Sequence, residues 1–225
     1  MRSVLSFLAG MLLAASAHAL SLADITGKDA SGGLKEALIQ GAGKAVEMLG
    51  KQDGFLGNPK VKIPLPESVQ KIEGVLRGFG MGQQADELIN AMNRAAEAAV
   101  PQAKTLLVNS IKQMSVEDAK GILSGGEDSA TQYFRRTTSG PLSEKFKPVV
   151  QKAMAKVKLA EKYDQLAGKA AKFGLVREQD AHLENYVTQK TLDGLYLMIA
   201  DEEKAIRQDP AGAAGKLARK VFGAL

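Results

Sequence analysis

The sequence predicts an all-α protein, a single multi-helix, bundle-like domain of about eight helices with one long apolar loop that contains proline and glycine. Apolar residues recur every three to four positions along most of the chain, as they do on one face of a helix. Glycine and proline are concentrated between these periodic segments. Strand-like alternation is confined to Val61, Ile63 and Leu65, and a lone short strand rarely holds without a sheet.

Residues 1–19 have the features of a secretory signal peptide. Arg2 supplies a positive start, and an apolar run over 4–15 follows it. Ala17 and Ala19 flank His18 in the small-x-small pattern of a cleavage site. We therefore expect cleavage after Ala19 and export to the periplasm, with no transmembrane segment left in the processed chain. Residues 20–32 are expected to be a flexible leader, and residues 33–225 a single helical domain.

The composition narrows the range of functions. Removal of residues 1–19 leaves 225 − 19 = 206 residues with a net charge of 29 − 25 = +4, because Arg2 is the one charged residue removed. These charges are well mixed, so we expect no nucleic-acid partner. The chain has no cysteine, which excludes a thiolate nucleophile, a cysteine-based zinc site and a lipidated N-terminal cysteine. His182 is the one histidine after residue 19, and we expect neither a metal site nor a cofactor.

Helices are predicted between the glycine and proline clusters. Pro101 should kink or split the longest of them, and a helix should restart after Gly140 and Pro141 because proline lacks an N–H. The predicted ranges are 33–49, 66–78, 83–114, 116–124, 127–138, 139–157, 161–173, 183–208 and a last helix after Asp209-Pro210.

Residues 50–66 form the predicted loop. Its glycines and prolines preclude a regular helix, yet it carries Phe55, Leu56, Val61, Ile63 and Leu65. We expect it to run along the domain surface with alternate side chains buried. The alternative is a lid or a strand that docks a partner.

The segment 114–138 is predicted to be a tight helical hairpin. Ser115 and Asp118 are spaced as a capping box at the start of one helix. Gly125 and Gly126 should end that helix in a left-handed conformation, which glycine adopts without a Cβ penalty. The acids before Ser129 should favour the positive end of the next helix.

Two groups of polar residues are candidate binding residues. The first is Tyr133, Arg135 and Arg136, which would line a site for an anionic or planar ligand. In the alternative interpretation, Tyr133 packs in the core and the arginines pair with nearby acids.

The second group is Asn93, Arg94 and Glu97 on the longest predicted helix. It is either a buried acid, amide and arginine network that faces a cleft, or a solvated helix face with salt bridges.

The last predicted helix is basic and amphipathic. Lys216, Arg219 and Lys220 lie beside Leu217 and Val221. Such a helix can make peripheral contact with an anionic membrane, or it can dock on its own domain with its charges favouring the helix C-terminus.

Several long motifs occur in an order that resembles one bacterial family, the domain-of-unknown-function family 4197. They are GLKEAL, DGF, KIPLP, MNRAAEAAVPQA, DAKGILSGGEDSATQYFRRTT, YVTQKTLDGLY and EEKAIRQDPA, and the resemblance runs from about Leu34 to Gly223. The family consists of exported proteins, so the resemblance implies an all-helical domain of the cell envelope. It implies no reaction and no catalytic residues. The missing cysteine at the cleavage point distinguishes this chain from lipid-anchored members and favours a soluble periplasmic protein.

These observations favour a non-catalytic binding or interaction module of the cell envelope, with an unidentified ligand or protein partner. One alternative is a carboxylate-dependent hydrolase or lyase that uses Glu97 with Asp118 or Asp128 as acid and base. Another is a structural or chaperone-like envelope component with an apolar groove near Phe55–Leu65.

Overall fold

The structure, a computed structural model, describes residues 27–67, 82–157, 160–164 and 182–209, together with Gln70, Arg77, Gly78, Gly80 and Val221. Its regular elements in these ranges are all helical, which confirms the predicted all-α class. Six α-helices have their bounds within this part of the chain: α1 Gly27–Gly50, α2 Gly82–Ala99, α3 Ala103–Gln113, α4 Val116–Ser124, α5 Ser129–Met154 and α6 Leu183–Gln208.

The expected total of about eight helices is not established by these ranges. The helices predicted at 66–78 and 161–173 and the basic amphipathic helix after Pro210 lie largely outside the described residues. Within the ranges that are described, no helix combines the length and the apolar character needed to cross a membrane.

Helices α5 and α6 pack against each other at the centre of the bundle. Helix α1 packs on α6, and both α2 and α3 pack on α5. Large side chains from all of these helices are fully buried where they meet, among them Leu34, Leu88, Met92, Leu107, Phe134, Phe146 and Tyr196. The core is therefore a seam of apolar side chains contributed at helical spacing, as the sequence periodicity predicts.

Pro101 divides the long predicted helix, as expected. The 3₁₀ turn Val100–Gln102 lies between α2 and α3. Proline has no N–H to donate to the preceding turn, and its ring crowds the carbonyl four residues before it. The α-helical hydrogen bonding is therefore interrupted at Pro101.

The predicted break at Gly140-Pro141 is wrong, because α5 runs without interruption from Ser129 to Met154 through both Pro141 and Pro148. A residue before proline normally avoids the helical conformation because its Cβ meets the proline ring. Gly140 has no Cβ, so this restriction is weak there. The buried stripe Leu142, Phe146, Val150 and Met154 then supplies the packing that keeps the helix continuous.

The turn after α4 differs from the prediction in its backbone conformation. Gly125 has φ −85° and ψ −179°, which is extended rather than left-handed. Glycine is required here by close packing, since a Cβ would lie 2.7 Å from both the carbonyl oxygen of Gly121 and the Cβ of Ser129. The capping box between Ser115 and Asp118 at the other end of α4 is confirmed.

The carboxylate that caps the start of α5 comes from another helix. Asp128 makes no side-chain cap, whereas the buried Glu203 of α6 accepts hydrogen bonds from the backbone N–H groups of Ala130 at 3.0 Å and Thr131 at 2.9 Å. Arg207, one turn along α6, donates to Glu203 at 2.9 Å and to the carbonyl oxygen of Ile122 at 2.8 Å. This network fixes where α5 begins relative to α4 and α6.

Residues 51–66 form turns followed by an extended stretch. Phe55, Val61, Ile63 and Leu65 are buried, and Lys62 and Pro64 between them are exposed. In this structure the segment is therefore packed on the bundle through alternate side chains.

Gly194 of α6 allows Phe55 to pack directly on the helix. A Cβ at position 194 would lie 2.7 Å from Cε1 of Phe55 and 3.3 Å from Cβ of Val61. We predict that Gly194→Ala lowers the free energy of unfolding by about 1–3 kcal/mol, because the overpacking outweighs the gain in helix propensity. Chemical denaturation measures the change.

Gly121→Ala is the matched control for this substitution. Gly121 is also helical, but a Cβ there meets nothing within 4 Å. It should stabilise the protein by about 0.5–1 kcal/mol. If Gly194→Ala were as stabilising as Gly121→Ala, the close packing of Phe55 on α6 would be wrong.

Candidate functional site

A cleft of about 480 Å³ opens between α3 and α5, with the first turn of α4 at its edge. This volume lies within the range of small-molecule sites, which is about 300–1,000 Å³. Its lining is mixed polar and apolar, and consists of Leu106, Asn109, Ser110, Gln113, Asp118, Tyr133, Arg136, Thr137, Thr138 and Pro141.

Two hydrogen bonds join α3 to α5 at the base of the cleft. The buried hydroxyl of Tyr133 donates to the backbone carbonyl of Ser110 at 2.7 Å. The hydroxyls of Ser110 and Thr137 are also 2.7 Å apart. These contacts hold the two walls at a fixed separation, so the cleft is preformed.

An ion pair lies at the edge of the cleft. Nη2 of Arg136 is 2.9 Å from Oδ1 of Asp118, and the guanidinium carbon lies 5.5 Å from the centre of the Tyr133 ring. The other carboxylate oxygen of Asp118 accepts from the backbone N–H and the hydroxyl of Ser115. The hydrogen bond from the Ser115 hydroxyl, reinforced by the charge of Arg136, lowers the pKa of Asp118 below its ordinary value.

Several polar groups in the cleft keep unused hydrogen-bonding capacity. The exposed amides of Asn109 and Gln113 are one helical turn apart on α3 and make no hydrogen bond to any described residue. Pro141 has no N–H, so the carbonyl oxygen of Thr137 lacks its usual intrahelical donor. Asn109, Gln113 and Thr137 all belong to the lining of the same cleft.

The first predicted group of binding residues divides between two places. Tyr133 and Arg136 lie in the cleft, although Tyr133 is buried and forms its base. Arg135 points elsewhere, with its guanidinium 4.7 Å from the centre of the Tyr196 ring. The alternative interpretation holds in part as well, because Tyr133 does pack and Arg136 does pair with an acid.

The second group holds the segment 51–66 against α2. The side-chain amide of Asn93 accepts from the N–H of Ile63 at 2.8 Å and donates to its carbonyl at 2.9 Å. Oε1 of Glu97 accepts from the N–H groups of Phe55 and Leu56, both at 3.1 Å. A solvated face is therefore wrong for Asn93 and Glu97, which are buried because they satisfy loop backbone that would otherwise be unpaired.

Arg94 extends this network to the surface. Its guanidinium bridges Oε2 of Glu97 at 2.7 Å and Oδ1 of Asp53 at 2.8 Å. Asp53 has a positive φ of 64°, and the ion pair with Arg94 helps to hold that turn. The predicted network of acid, amide and arginine is present, but its partners are the loop backbone and Asp53 rather than a cleft.

The three acids of the hydrolase alternative have separate partners. Glu97 binds loop backbone and Arg94, Asp118 binds Ser115 and Arg136, and Asp128 accepts from the amide of Gln132 at 2.9 Å. Of the three, Asp118 is the one that lines the cleft. The structure therefore brings together no acid–base pair among these residues.

Sequence reasoning missed Asn109 and Gln113. They are spaced i and i+4 beside Leu106 on an otherwise apolar-periodic segment, which was the available signal. Their importance depends on α5 lying opposite, and that packing cannot be read from α3 alone.

We predict that the charge of Asp118 stabilises the protein only above the pKa of the carboxyl group in the folded state. The ordinary value is 3.8 and the folded value is lower, so this contribution is present above 3.8 and is lost as the pH falls through the folded pKa. Asp118→Asn should therefore lower stability at pH 7 and flatten the loss of stability as the pH falls below 3.8.

Denaturation midpoints across this pH range measure the effect. Glu117→Gln is the control, since Glu117 is exposed on the same helical turn and its side chain makes no hydrogen bond or ion pair with the described residues. An Asp118→Asn variant with the wild-type pH dependence would contradict the prediction.

Among the comparisons with known proteins, a family model matches the chain. Neither a curated protein nor a solved structure matches the chain significantly. A family model described as "Protein of unknown function (DUF4197)" matches residues 24–223. This match covers nearly all of the chain, including every helix that lines the cleft, and the chain belongs to the DUF4197 family.

Proposed function

We propose that this chain is a non-catalytic binding module of the bacterial cell envelope, and that the cleft between α3 and α5 receives a small, uncharged polar ligand. The proposal includes export to the periplasm with removal of residues 1–19, which is supported by the signal-peptide pattern of that segment. The observation that carries the binding role is a pair of side-chain amides in the cleft, Asn109 and Gln113, that have no hydrogen-bond partner among the described residues.

The hydrogen-bonding groups of the cleft support a polar ligand. Each amide offers an N–H₂ donor and a carbonyl acceptor, and the backbone carbonyl of Thr137 adds an acceptor. Arg136 uses one nitrogen for Asp118 and retains further N–H groups. A ligand with adjacent hydroxyl or amide groups could accept hydrogen bonds from these donors and donate to these acceptors.

The charge of the cleft supports an uncharged ligand. Arg136 is the one basic side chain in the lining, and Asp118 is the one acid. They are paired at 2.9 Å, so their charges largely cancel within the lining. An anionic ligand would have to compete with Asp118 for the guanidinium, whereas an uncharged ligand can bind while the pair stays intact.

The proposed recognition surface includes fewer residues than the sequence suggests. Asn93 and Glu97 are buried and use their polar atoms on the loop backbone. Arg135 covers the Tyr196 ring outside the cleft. Among the predicted residues, Arg136 is retained as a binding residue and Tyr133 as the base of the site.

A groove for client proteins near Phe55–Leu65 receives no support from these contacts. Phe55, Val61, Ile63 and Leu65 are all buried against the bundle. Exposing them would require the segment to leave the backbone bonds that Asn93 and Glu97 make with it.

We predict that Asn109→Ala and Gln113→Ala each weaken ligand binding about 5–10-fold without changing stability, because each removes about one hydrogen bond to the ligand and none within the described protein. The ligand is found first by a thermal-shift screen of uncharged sugars and N-acetylated amino-acid amides. Affinity is then measured by calorimetry on the wild type and on both variants.

Gln102→Ala is the matched control. Gln102 is an exposed amide on the turn before α3 and does not line the cleft. It should bind the ligand as the wild type does. A ligand whose affinity is the same in all four proteins binds elsewhere, and a screen without any ligand would count against the binding role itself.

A further inference from the structure

Three side chains that are able to coordinate a metal converge at the start of α6, outside the cleft. They are Asp164, from the described segment 160–164, and His182 and Glu184, from the residues where α6 begins. One candidate ligand atom from each lies within 4.8 Å of the other two. The side chains come from positions 18 and 20 residues apart, so the fold rather than the local sequence brings them together.

We propose that Asp164, His182 and Glu184 bind a divalent transition-metal ion of the zinc type. Imidazole nitrogens and carboxylate oxygens are among the ligand atoms that zinc takes in proteins. Imidazole also separates this class from Mg²⁺ and Ca²⁺, which prefer all-oxygen ligands. Water would complete the coordination shell.

Each of the three side chains has at least one ligand atom that is not used in a hydrogen bond with the described residues. Oδ1 of Asp164 accepts the N–H of Leu183 at 2.8 Å, which leaves its second oxygen for a metal. The side chains of His182 and Glu184 make no hydrogen bond or ion pair with any other described residue. The bond from Leu183 orients the Asp164 carboxylate, as second partners commonly do for metal ligands.

The electrostatics of the group favour a cation. Neither carboxylate is paired with lysine or arginine among the described residues. Burial raises the pKa of Asp164, and the negative charge of Glu184 adds to the rise. A bound cation would offset both the burial of the Asp164 charge and its repulsion from Glu184.

The position of these side chains at a helix N-terminus weakens their attraction for a cation without reversing it. The N-terminus of α6 carries a partial positive charge of about half an elementary charge. The two carboxylates together carry two negative charges, and the Leu183 N–H already points at Asp164. The net local charge before metal binding is therefore negative.

A metal at this place would join two parts of the chain. It would hold the end of the segment 160–164 against the first turn of α6, beyond the single bond from Leu183 to Asp164. The expected role is structural. It is also independent of the cleft, so the failure of either proposal leaves the other standing.

The test is calorimetric titration of Zn²⁺ into the purified, chelator-treated chain without a histidine tag. We expect one equivalent to bind with a micromolar dissociation constant and to raise the melting temperature by about 5 °C or more at hundred-fold excess over that constant. His182→Ala and Glu184→Gln should each weaken binding at least ten-fold. Asp164→Asn should do the same while keeping an oxygen to accept the Leu183 N–H.

Glu144→Gln, at an exposed acid of α5 without a partner among the described residues, should bind Zn²⁺ as the wild type does. Three results would overturn the proposal. They are no binding of Zn²⁺ at micromolar concentration, binding that His182→Ala leaves unchanged, and tighter binding of Ca²⁺ or Mg²⁺ than of Zn²⁺.

Discussion

The buried carboxylate of Glu203 joins three helices, and the position of the cleft depends on it. Both oxygens accept hydrogen bonds from the first turn of α5, where helical N–H groups have no partner within their own helix. Arg207 neutralises the charge and reaches back to the end of α4. A buried charge is tolerated only with such partners. The contact therefore fixes the end of α4 and the start of α5 relative to α6.

The cleft follows from where α5 begins. Tyr133 and Arg136 lie within the first two turns after the Glu203 contact, and they meet Ser110 of α3 and Asp118 of α4. On α2, Asn93 and Glu97 hold the segment 51–66 in the same manner, by pairing side-chain atoms with loop backbone. These buried polar side chains therefore position loop backbone and helix ends. Some polar side chains of the cleft differ, because they make no hydrogen bond to the described backbone.

Local signals in the sequence predict most of the described helices, but they do not predict which distant residues become partners. The capping box at Ser115 and the split at Pro101 depend on residues a few positions apart, so they could be read directly. The continuity of α5 through Pro141 depends on packing by Leu142 and Phe146, which local rules do not contain. Nothing in the local sequence distinguishes Glu203 from its acidic neighbours, because its partners on α5 are 72 and 73 residues away. Tyr133 and Arg136, which the sequence analysis names, line the cleft together with Asn109 and Gln113, whose place there depends on how α3 packs on α5.

The most direct test of this account is the free energy of unfolding of Glu203→Ala beside that of Glu127→Ala. The first change removes the acceptor from two backbone N–H groups and the buried partner of Arg207, and a loss of about 3–5 kcal/mol is expected. The second removes an exposed ion pair in which the side chain of Glu127 is 68% exposed and that of Lys204 is 50% exposed. A loss below about 1 kcal/mol is expected. Equal, small losses in the two variants would contradict the claim that Glu203 fixes the start of α5.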